Sequence, residues 1–353
     1  MIEINKTPVR TSQNYGINSV TIDENDIEVV DKNFSSCTVN CDNQIQICDA
    51  NCLKIVRPLS SEFEKQSNCN GNFNKQIYIK NDAKNEKKVD FLFDFDKNDT
   101  KLAENLSFHF EKDTKTKVIL KYVSSQKSYH NGVLDFDCGE NSNVDILIFS
   151  NLSKLSNNFL TLQANVEKNA KLNVTIVDIA SHNSIQNVYV KVVGENAISN
   201  LNSLYFGDDK NRLDLNYIQD VFGIKARAEI EVVGALTDFA KKNFKGTINF
   251  EKGCKMAFGS ENETCLLLSK NSKSKALPML LCGEEDVDGK HSSSVGKADE
   301  KELFYIMSRG LSYQEALKLS VKAKFSTVLN KVFDEELKKE ILNVIDRKFD
   351  YEK

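Results

Sequence analysis

The chain lacks a long apolar stretch. Nowhere in its 353 residues is there a run approaching the roughly 20 apolar residues that a membrane-spanning helix needs. The opening MIEINKTPVR also lacks the hydrophobic stretch of a secretory signal. We therefore expect a cytoplasmic protein without a membrane partner.

A concentrated block of positive charge is also missing. The chain has 47 basic and 51 acidic side chains, and the basic ones are not clustered. Nucleic acids and anionic membranes are recognised through dense positive patches. The charge pattern therefore predicts no nucleic-acid partner.

Cysteine is more plentiful, with nine residues, whereas histidine occurs only four times. In a cytosolic chain cysteines are more often buried thiols, metal ligands or redox groups than disulfides. The densest group is the stretch CTVNCDNQIQICDANC, which contains Cys37, Cys41, Cys48 and Cys52. Four thiolates suit zinc or an iron–sulfur cluster, but the C-x3-C spacing differs from the usual C-x2-C. A metal site and a cysteine-rich loop without a ligand both stay open.

Between residues 140 and 275 a polar turn followed by an alternating strand recurs. The turn residues Asn141, Asn169 and Asn196 lie 28 and 27 residues apart, and Gly253 lies 57 residues further on. Asn and Gly tolerate the left-handed backbone of a tight turn. The following residues alternate, as in Leu172, Val174 and Ile176, Val188, Val190 and Val192, and Ala228, Ile230 and Val232.

Such alternation predicts strands with one buried face and one face in solvent. Short strands without intervening helices argue against a doubly wound α/β sheet and favour a β-helix, a sandwich or a barrel. The repeat of about 27 residues favours the β-helix. The fold class is thus mainly β.

The pattern changes to helical after residue 292. Asp299 can cap a helix that ends near Arg309 with Gly310 beyond it, and Ser312 with Glu315 forms a capping box. We predict an irregular or mixed segment over 1–75, a β-helix core over 76–292 and a small α-helical domain over 293–353. The inner helical faces should pack on the end of the β-helix.

The sequence of residues 278–310 resembles that of the SufB/SufD family of iron–sulfur cluster assembly proteins, and SufD more closely. The resemblance rests on PMLL at 278, a histidine 13 residues after Pro278, then VGK and LFYIMSRG, and on TPVRTSQNYGIN at 7–18. It implies a right-handed parallel β-helix that pairs with a SufB-like subunit or with itself. It also implies that the helical domain docks a SufC-like ABC ATPase through Phe304, Tyr305, Arg309 and Gly310.

The resemblance also suggests site residues. His291 matches a histidine near the SufD subunit interface, whereas Gly289 replaces a SufD cysteine, Glu263 the essential SufB cysteine, and Ser292 a SufB glutamate. Cys265 shares a strand face with Glu263 and could supply the missing thiol. Cys254 and Cys282 are further thiols on predicted strands, although a free cysteine is commonly a small apolar core residue.

The family likeness implies a non-catalytic scaffold whose ATP hydrolysis is supplied by the partner. We expect no stably bound cofactor, only a transient iron–sulfur cluster shared with that partner. Two alternatives stay open. One is a polysaccharide-acting β-helix enzyme using Asp94 and Asp96. The other is a purely structural β-helix homodimer.

Overall fold

The computed structural model describes residues 1–11, 15–50, 54–81, 85–179 and 181–350, except for the side chains of residues 68–70 and 350. The strands are β1 (Ile2–Ile4), β2 (Val20–Ile22), β3 (Cys37–Cys41), β4 (Ile45–Asp49), β5 (Phe73–Ile79), β6 (Lys87–Phe95), β7 (Lys101–Phe110), β8 (Lys115–Ser124), β9 (Tyr129–Cys138), β10 (Asn143–Asn151), β11 (Asn157–Val166), β12 (Lys171–Ile179), β13 (Asn183–Val192), β14 (Ile198–Gly207), β15 (Arg212–Val221), β16 (Arg227–Leu236), β17 (Lys241–Phe250), β18 (Ala257–Leu267), β19 (Lys273–Cys282) and β20 (Val287–Gly296). The helices are α1 (Ser61–Asn70), α2 (Glu300–Met307), α3 (Tyr313–Leu329) and α4 (Glu335–Asp350).

From β5 onward the strands alternate between two parallel sheets. Sheet I has the order β20-β18-β16-β14-β12-β10-β8-β6-β3, and sheet II has the order β19-β17-β15-β13-β11-β9-β7-β5-β4. Each coil of the solenoid therefore contributes one strand to each sheet. This arrangement confirms the predicted parallel β-helix with a helical C-terminal part. The coil contains two long strands, where the repeat had suggested several short ones.

The apolar sides of the strands meet inside the solenoid. The alternating residues of β12, β13 and β16 predicted to face inward are all at most 2% exposed and belong to one continuous core. They comprise Leu172, Val174, Ile176, Val188, Val190, Val192, Ala228, Ile230 and Val232. The inward faces were thus predicted correctly.

The outward faces are mostly covered, which the alternation pattern did not predict. α3 and α4 pack their apolar faces on outward residues of sheet I, including Leu147, Val177 and Leu204. The N-terminal segment with α1 packs on outward residues of sheet II, including Tyr129 and Phe159. Polar side chains expected in solvent, such as Thr175, are therefore buried.

The C-terminal helices begin at the predicted caps but do not close the end of the solenoid. The Asp299 side chain caps α2, and Ser312 with Glu315 forms a capping box at α3. α3 and α4 instead lie along the flank of sheet I, across several coils. The expected packing on the end of the β-helix was wrong, because the helices' apolar stripes match the apolar outer positions of sheet I.

A ladder of left-handed turn residues joins successive coils. Asn141, Asn169 and Asn196 have φ values of 58°, 56° and 57°. The Asn169 side chain donates to Asn141 Oδ1 at 3.0 Å, and Asn196 donates to Asn169 Oδ1 at 3.2 Å. The amides thus stabilise both the turn and its stacking.

In later coils, other residue types occupy the left-handed turn position of these asparagines. Lys225 and Met256 have φ values of 58° and 57°, and the Met256 amide donates to the carbonyl of Asp286. Gly253 has φ 101° but lies earlier in the same turn. Its assignment to the repeat was wrong, because the turn between β17 and β18 is longer than the earlier ones.

Replacing Asn169 with Ala should lower the free energy of unfolding by about 1 kcal/mol, because Ala is strained at positive φ and loses both ladder bonds. Asn169→Gly should lose less, since Gly accepts this backbone. Urea denaturation gives both values. The control is Lys168→Ala, which removes only an exposed ion pair with Glu195. Equal stability of Asn169→Ala and this control would show that the ladder contributes nothing.

Candidate functional site at the open end of the solenoid

The last coil leaves one end of the solenoid open. Among the described residues β19 and β20 pair on one side only, with β17 and β18 respectively. Val287 packs against the core, so the side chains that follow it at every second position also face the interior. Nevertheless β20 is exposed along most of its length. The lumen of the solenoid is therefore accessible from this end.

Three predicted site residues face this lumen. His291 lies in register with Glu261 of β18, Ser293 with Glu263, and Val295 with Cys265. His291 is exposed at the mouth, whereas Glu261, Glu263 and Cys265 lie one coil deeper, at most 1% exposed. The fold thus brings His291, Glu263 and Cys265 to one opening.

Two other positions singled out by resemblance behave differently. Ser292 points outward and donates to Asn262 Oδ1 at 2.6 Å. Gly289 faces inward, where a Cβ atom would lie 3.2 Å from both Leu280 Cδ1 and Phe250 Cε2. A larger side chain at Gly289 would therefore require its neighbours to move.

Glu263 belongs to a buried polar cluster. Its Oε1 forms an ion pair with Lys242 Nζ and accepts a hydrogen bond from the Tyr205 hydroxyl at 3.3 Å. Its Oε2 accepts from the Ser293 hydroxyl at 2.7 Å. Since both charged side chains are 0% exposed, each depends on the other for compensation.

Glu261 has no such partner. Neither carboxylate oxygen forms a hydrogen bond with the described side chains. Its Oε1 occupies the space that a Cβ atom at Gly246 would need. Burial, opposed by the Met279 backbone and assisted by Glu263, raises the pKa of Glu261 from 4.5 to about 8. The carboxyl is thus protonated over much of the neutral range.

The three thiols near this end differ in access. Burial raises the pKa of Cys265, while the Lys242 ammonium and the Tyr205 hydroxyl oppose that increase. Cys254 is fully buried in the turn before β18, and Cys282 is exposed at the end of β19. Cys282 is therefore the accessible thiol at the mouth, whereas Cys265 lies beneath the last coil.

The α2 residues suggested for docking are on the surface. Phe304 is 74% exposed and Tyr305 is 60% exposed, while Leu303 is the buried residue of this helix. The Arg309 guanidinium donates to the Tyr305 hydroxyl at 3.0 Å, and Gly310 has φ 98° after the helix end. All four residues are exposed, and they follow β20 closely in the chain.

Of the four cysteines suggested as metal ligands, the three that the structure describes do not converge. Cys37 and Cys41 lie at the two ends of β3, which places them about 13 Å apart at the usual rise per residue. Cys48 pairs with Gln76, whose neighbour Ile77 is in the core, so Cys48 faces away from the interior. The described residues contain no group of three or more His, Cys, Asp or Glu side chains able to hold a metal ion. Cys52 lies outside the described residues.

The two carboxylates suggested for glycan cleavage, Asp94 and Asp96, do not share one strand. Asp94 lies in β6, but Asp96 follows the end of that strand. Asp96 Oδ1 accepts backbone hydrogen bonds from Asn98 at 2.7 Å and Asp99 at 2.9 Å. Asp96 therefore stabilises a turn.

Comparison with known proteins matches most of the chain to one protein family. Residues 93–324, well over half of the chain, match the family model described as SUF system FeS cluster assembly, SufBD core domain. The chain belongs to the SufBD family. The match begins in β6 and ends in α3, so it includes the lumen residues and α2.

Curated relatives support a SufD-like member of the SufBD family. The chain is 24% identical to the iron–sulfur cluster assembly protein SufD of Bacillus subtilis, over 77% of this chain and 63% of that protein. It is 26% identical to an iron–sulfur cluster assembly SufBD family protein of Pyrococcus horikoshii, over 74% of this chain and 60% of the relative. A shorter match covers 30% of the chain and 25% of Escherichia coli SufD at 28% identity. The chain thus spans less than two thirds of these relatives' lengths.

No helix among the described residues has the length and apolar character needed to cross a membrane. The seven cysteines whose side chains are described are all free.

Sequence reasoning missed Lys242, Tyr205 and Glu261. Each occupies an inward position, Tyr205 in β14, Lys242 in β17 and Glu261 in β18. The other inward residues of β17 are uncharged, whereas β18 also turns Glu263 inward. A charged residue in the apolar phase of an alternating strand is a usable signal, since burying a charge is costly unless it is compensated. The pattern could have marked Lys242, although not its partner Glu263.

Replacing Lys242 with Met should destabilise the protein by about 3–5 kcal/mol, because Glu263 would stay buried without its counter-charge. The double variant Lys242→Met with Glu263→Met should recover most of that loss. Urea unfolding of the two single variants and the double variant measures the coupling. Independent, additive losses would contradict a compensating pair.

Glu261 should make stability fall with rising pH. Its pKa is higher in the folded than in the unfolded state, so the stabilisation is fully present below about 4.5 and is lost as pH rises towards 8. Glu261→Gln should remove this component. Compared with the wild type by urea unfolding, the variant should gain stability between about pH 5 and pH 8. Parallel pH profiles would contradict the raised pKa.

Proposed function

We propose that the chain is a SufD-like scaffold subunit of a SUF-type iron–sulfur cluster assembly complex. It pairs with a SufB-like subunit through the open end of its solenoid and docks a SufC-like ATPase through α2. The observation that carries the proposal is the last coil, whose two ten-residue strands lack an outer neighbour among the described residues. Membership of the SufBD family supports the cluster-assembly role.

Exposed strand edges favour pairing with another chain. A row of unpaired N–H and C=O groups is a template for a further strand. Here both sheets end at the same side, so a partner with two similar edges could continue both sheets at once. Val295, an inward residue that is 41% exposed, would be buried by such a partner.

The lumen offers only part of a cluster-binding site. His291 supplies an imidazole, a common ligand for iron, at the mouth of the solenoid. The nearest deeper side chains are those of Glu261, whose carboxyl is protonated, and Glu263, whose carboxylate is paired with Lys242. The other ligands for a transient cluster would therefore come from the partner, with Cys282 as a second donor on this chain.

α2 has the composition of a docking surface. Besides Glu300 and Lys301, its exposed side chains are the aromatic Phe304 and Tyr305 and the apolar Met307. Arg309 is held beside Tyr305, and aromatic residues with Arg are enriched in interface hot spots. Because the helix contributes Leu303 to the core, the exposed residues are not needed for folding. ATP hydrolysis would belong to the docked partner.

Phe304→Ala combined with Tyr305→Ala should weaken binding of the SufC-like ATPase by at least about tenfold while leaving stability unchanged, since both side chains lie outside the core. Co-purification and calorimetric titration measure the binding. Leu155→Ala is the matched control, because Leu155 is 67% exposed on a distant turn. Wild-type affinity of the α2 variant would exclude this docking surface.

His291→Ala should lower the iron and sulfide retained by the anaerobically reconstituted complex without preventing subunit pairing. His291 is exposed and forms no hydrogen bond with the described residues, so stability should not change. Metal and sulfide analysis of the intact complex gives the result, with Ser292→Ala as the outward-facing control. Unchanged cluster content in His291→Ala would remove the residue from the proposed site.

A homodimer joined at the same edges is the competing assembly. Native mass spectrometry of the chain alone and with both partners distinguishes the two. A stable homodimer that excludes the SufB-like subunit would overturn the proposed pairing.

A further inference from the structure

The turn between β19 and β20 is an acidic corner of the open end. It contains Glu284, Glu285 and Asp286, and Asp288 follows as the second residue of β20. Asp288 pairs with Lys290 at 3.5 Å. Glu285 and Asp286 are exposed and form no ion pair with a described residue. The free carboxylates of this corner are therefore available to a partner.

A basic corner lies at the other ends of the same two strands. Lys270 lies in the turn that leads into β19, Lys273 is the first residue of that strand, and Lys297 follows β20 directly. Lys270 and Lys297 line one groove beside α2, so the two segments adjoin. All three lysines are exposed and form no ion pair within the described part of the chain. Lys275, two residues further along β19, donates to the Tyr15 carbonyl at 2.7 Å.

Neighbouring charges offset each corner only in part. When the turn of the preceding coil is included, the acidic corner has five carboxylates and three ammonium groups, and the basic corner has five ammonium groups and three carboxylates. The opposing groups are Lys252, Lys255 and Lys290 at the acidic corner and Asp238, Asp299 and Glu300 at the basic corner. The open end is thus negative at one corner and positive at the other.

The backbone edges alone do not fix how a partner β-helix would dock. β19 and β20 run in opposite directions, because the chain turns between them. An opposing solenoid end of the same kind could pair both edges antiparallel in two orientations, which differ by a half-turn about the solenoid axis. One orientation brings each sheet against its counterpart in the partner, and the other brings it against the opposite sheet. Another feature must select between them.

The charged corners can make that selection. β19 and β20 each have ten residues, so the corners lie about 30 Å apart at the usual rise per residue. The Debye length is about 8 Å at physiological ionic strength, so each corner interacts only with the partner surface that lies against it. A half-turn of the partner would exchange those two surfaces.

We propose that the open end accepts its β-helix partner, the SufB-like subunit, in one orientation that the two charged corners select. The partner presents a basic surface to the acidic corner and an acidic surface to the basic corner. A half-turn would place like charges together at both corners, and charges at an interface rim govern orientation and association rate more than affinity. The orientation also fixes which partner side chains approach His291. This inference rests on the proposed function, because the partner is the one proposed there.

Stopped-flow association of the whole chain with a purified SufB-like subunit tests the orientation. Glu285→Lys combined with Asp286→Lys should slow association about tenfold at about 0.1 M salt, because it reverses the acidic corner. Lys270→Glu combined with Lys273→Glu should slow it by a similar factor. Both losses should shrink to within about twofold at about 1 M salt, where the Debye length is about 3 Å. All four side chains are exposed, so folding should not change.

Glu140→Lys combined with Glu167→Lys is the matched control. Both residues are exposed in earlier turns on the same side of the solenoid, four and five coils from the acidic corner. At the usual strand spacing they lie about 20 Å or more from it, beyond the Debye length of about 10 Å at 0.1 M salt. The control should therefore associate like the wild type.

Slower association of both corner variants, with the control unchanged, supports the proposal. Slower association of one variant and faster association of the other would show a partner surface of a single charge sign and overturn it. Unchanged association of both variants would overturn the selected orientation but leave the proposed pairing intact. A SufB-like subunit that does not bind the wild type would overturn the proposed pairing and this inference together. Reversals that alter only homodimer formation, measured by native mass spectrometry, would assign the corners to a second copy of the chain and overturn the proposal.

Discussion

The structure depends on backbone pairing between successive coils. The backbone N–H and C=O groups of each coil form hydrogen bonds with the coils on either side. The same two coils cover its inward side chains. Among the described residues, this condition fails at β19 and β20, where ten-residue strands have a neighbour on one side only. A soluble fold normally protects such edges. The unpaired coil therefore gives a physical reason to place the partner surface at this end.

The ionisable side chains inside the open end differ in how their charges are compensated. Lys242 and Glu263 compensate each other one coil below the mouth, and Ser293 of the last strand completes the carboxylate's hydrogen bonds. Glu261 lacks a counter-charge, so burial keeps its carboxyl protonated. His291 lies in register with it at the surface. The lumen thus changes from compensated and buried to polar and accessible within two coils.

Local sequence patterns were sufficient for the inward strand faces and the helix caps, because alternation and capping depend on neighbours in the chain. They failed where distant segments decide the environment. Thr175 looks solvent-facing in its strand, yet the C-terminal helices cover that sheet. Met256 carries no turn signal, yet the stacking of coils forces it to positive φ. Lys242 and Glu263 are 21 residues apart, and only the coil geometry brings them together.

The candidate site was partly predictable for the same reason. His291 and Glu263 could be identified by resemblance, and Cys265 by its spacing from Glu263. The four-cysteine group was less informative, since strand geometry separates Cys37 from Cys41.

Hydrogen–deuterium exchange of β19 and β20, with and without a SufB-like subunit, tests the central claim most directly. The account predicts rapid exchange of outer-edge amides in the isolated chain and strong protection of both strands in the complex. Binding of the SufB-like subunit with unchanged exchange in β19 and β20 would contradict it.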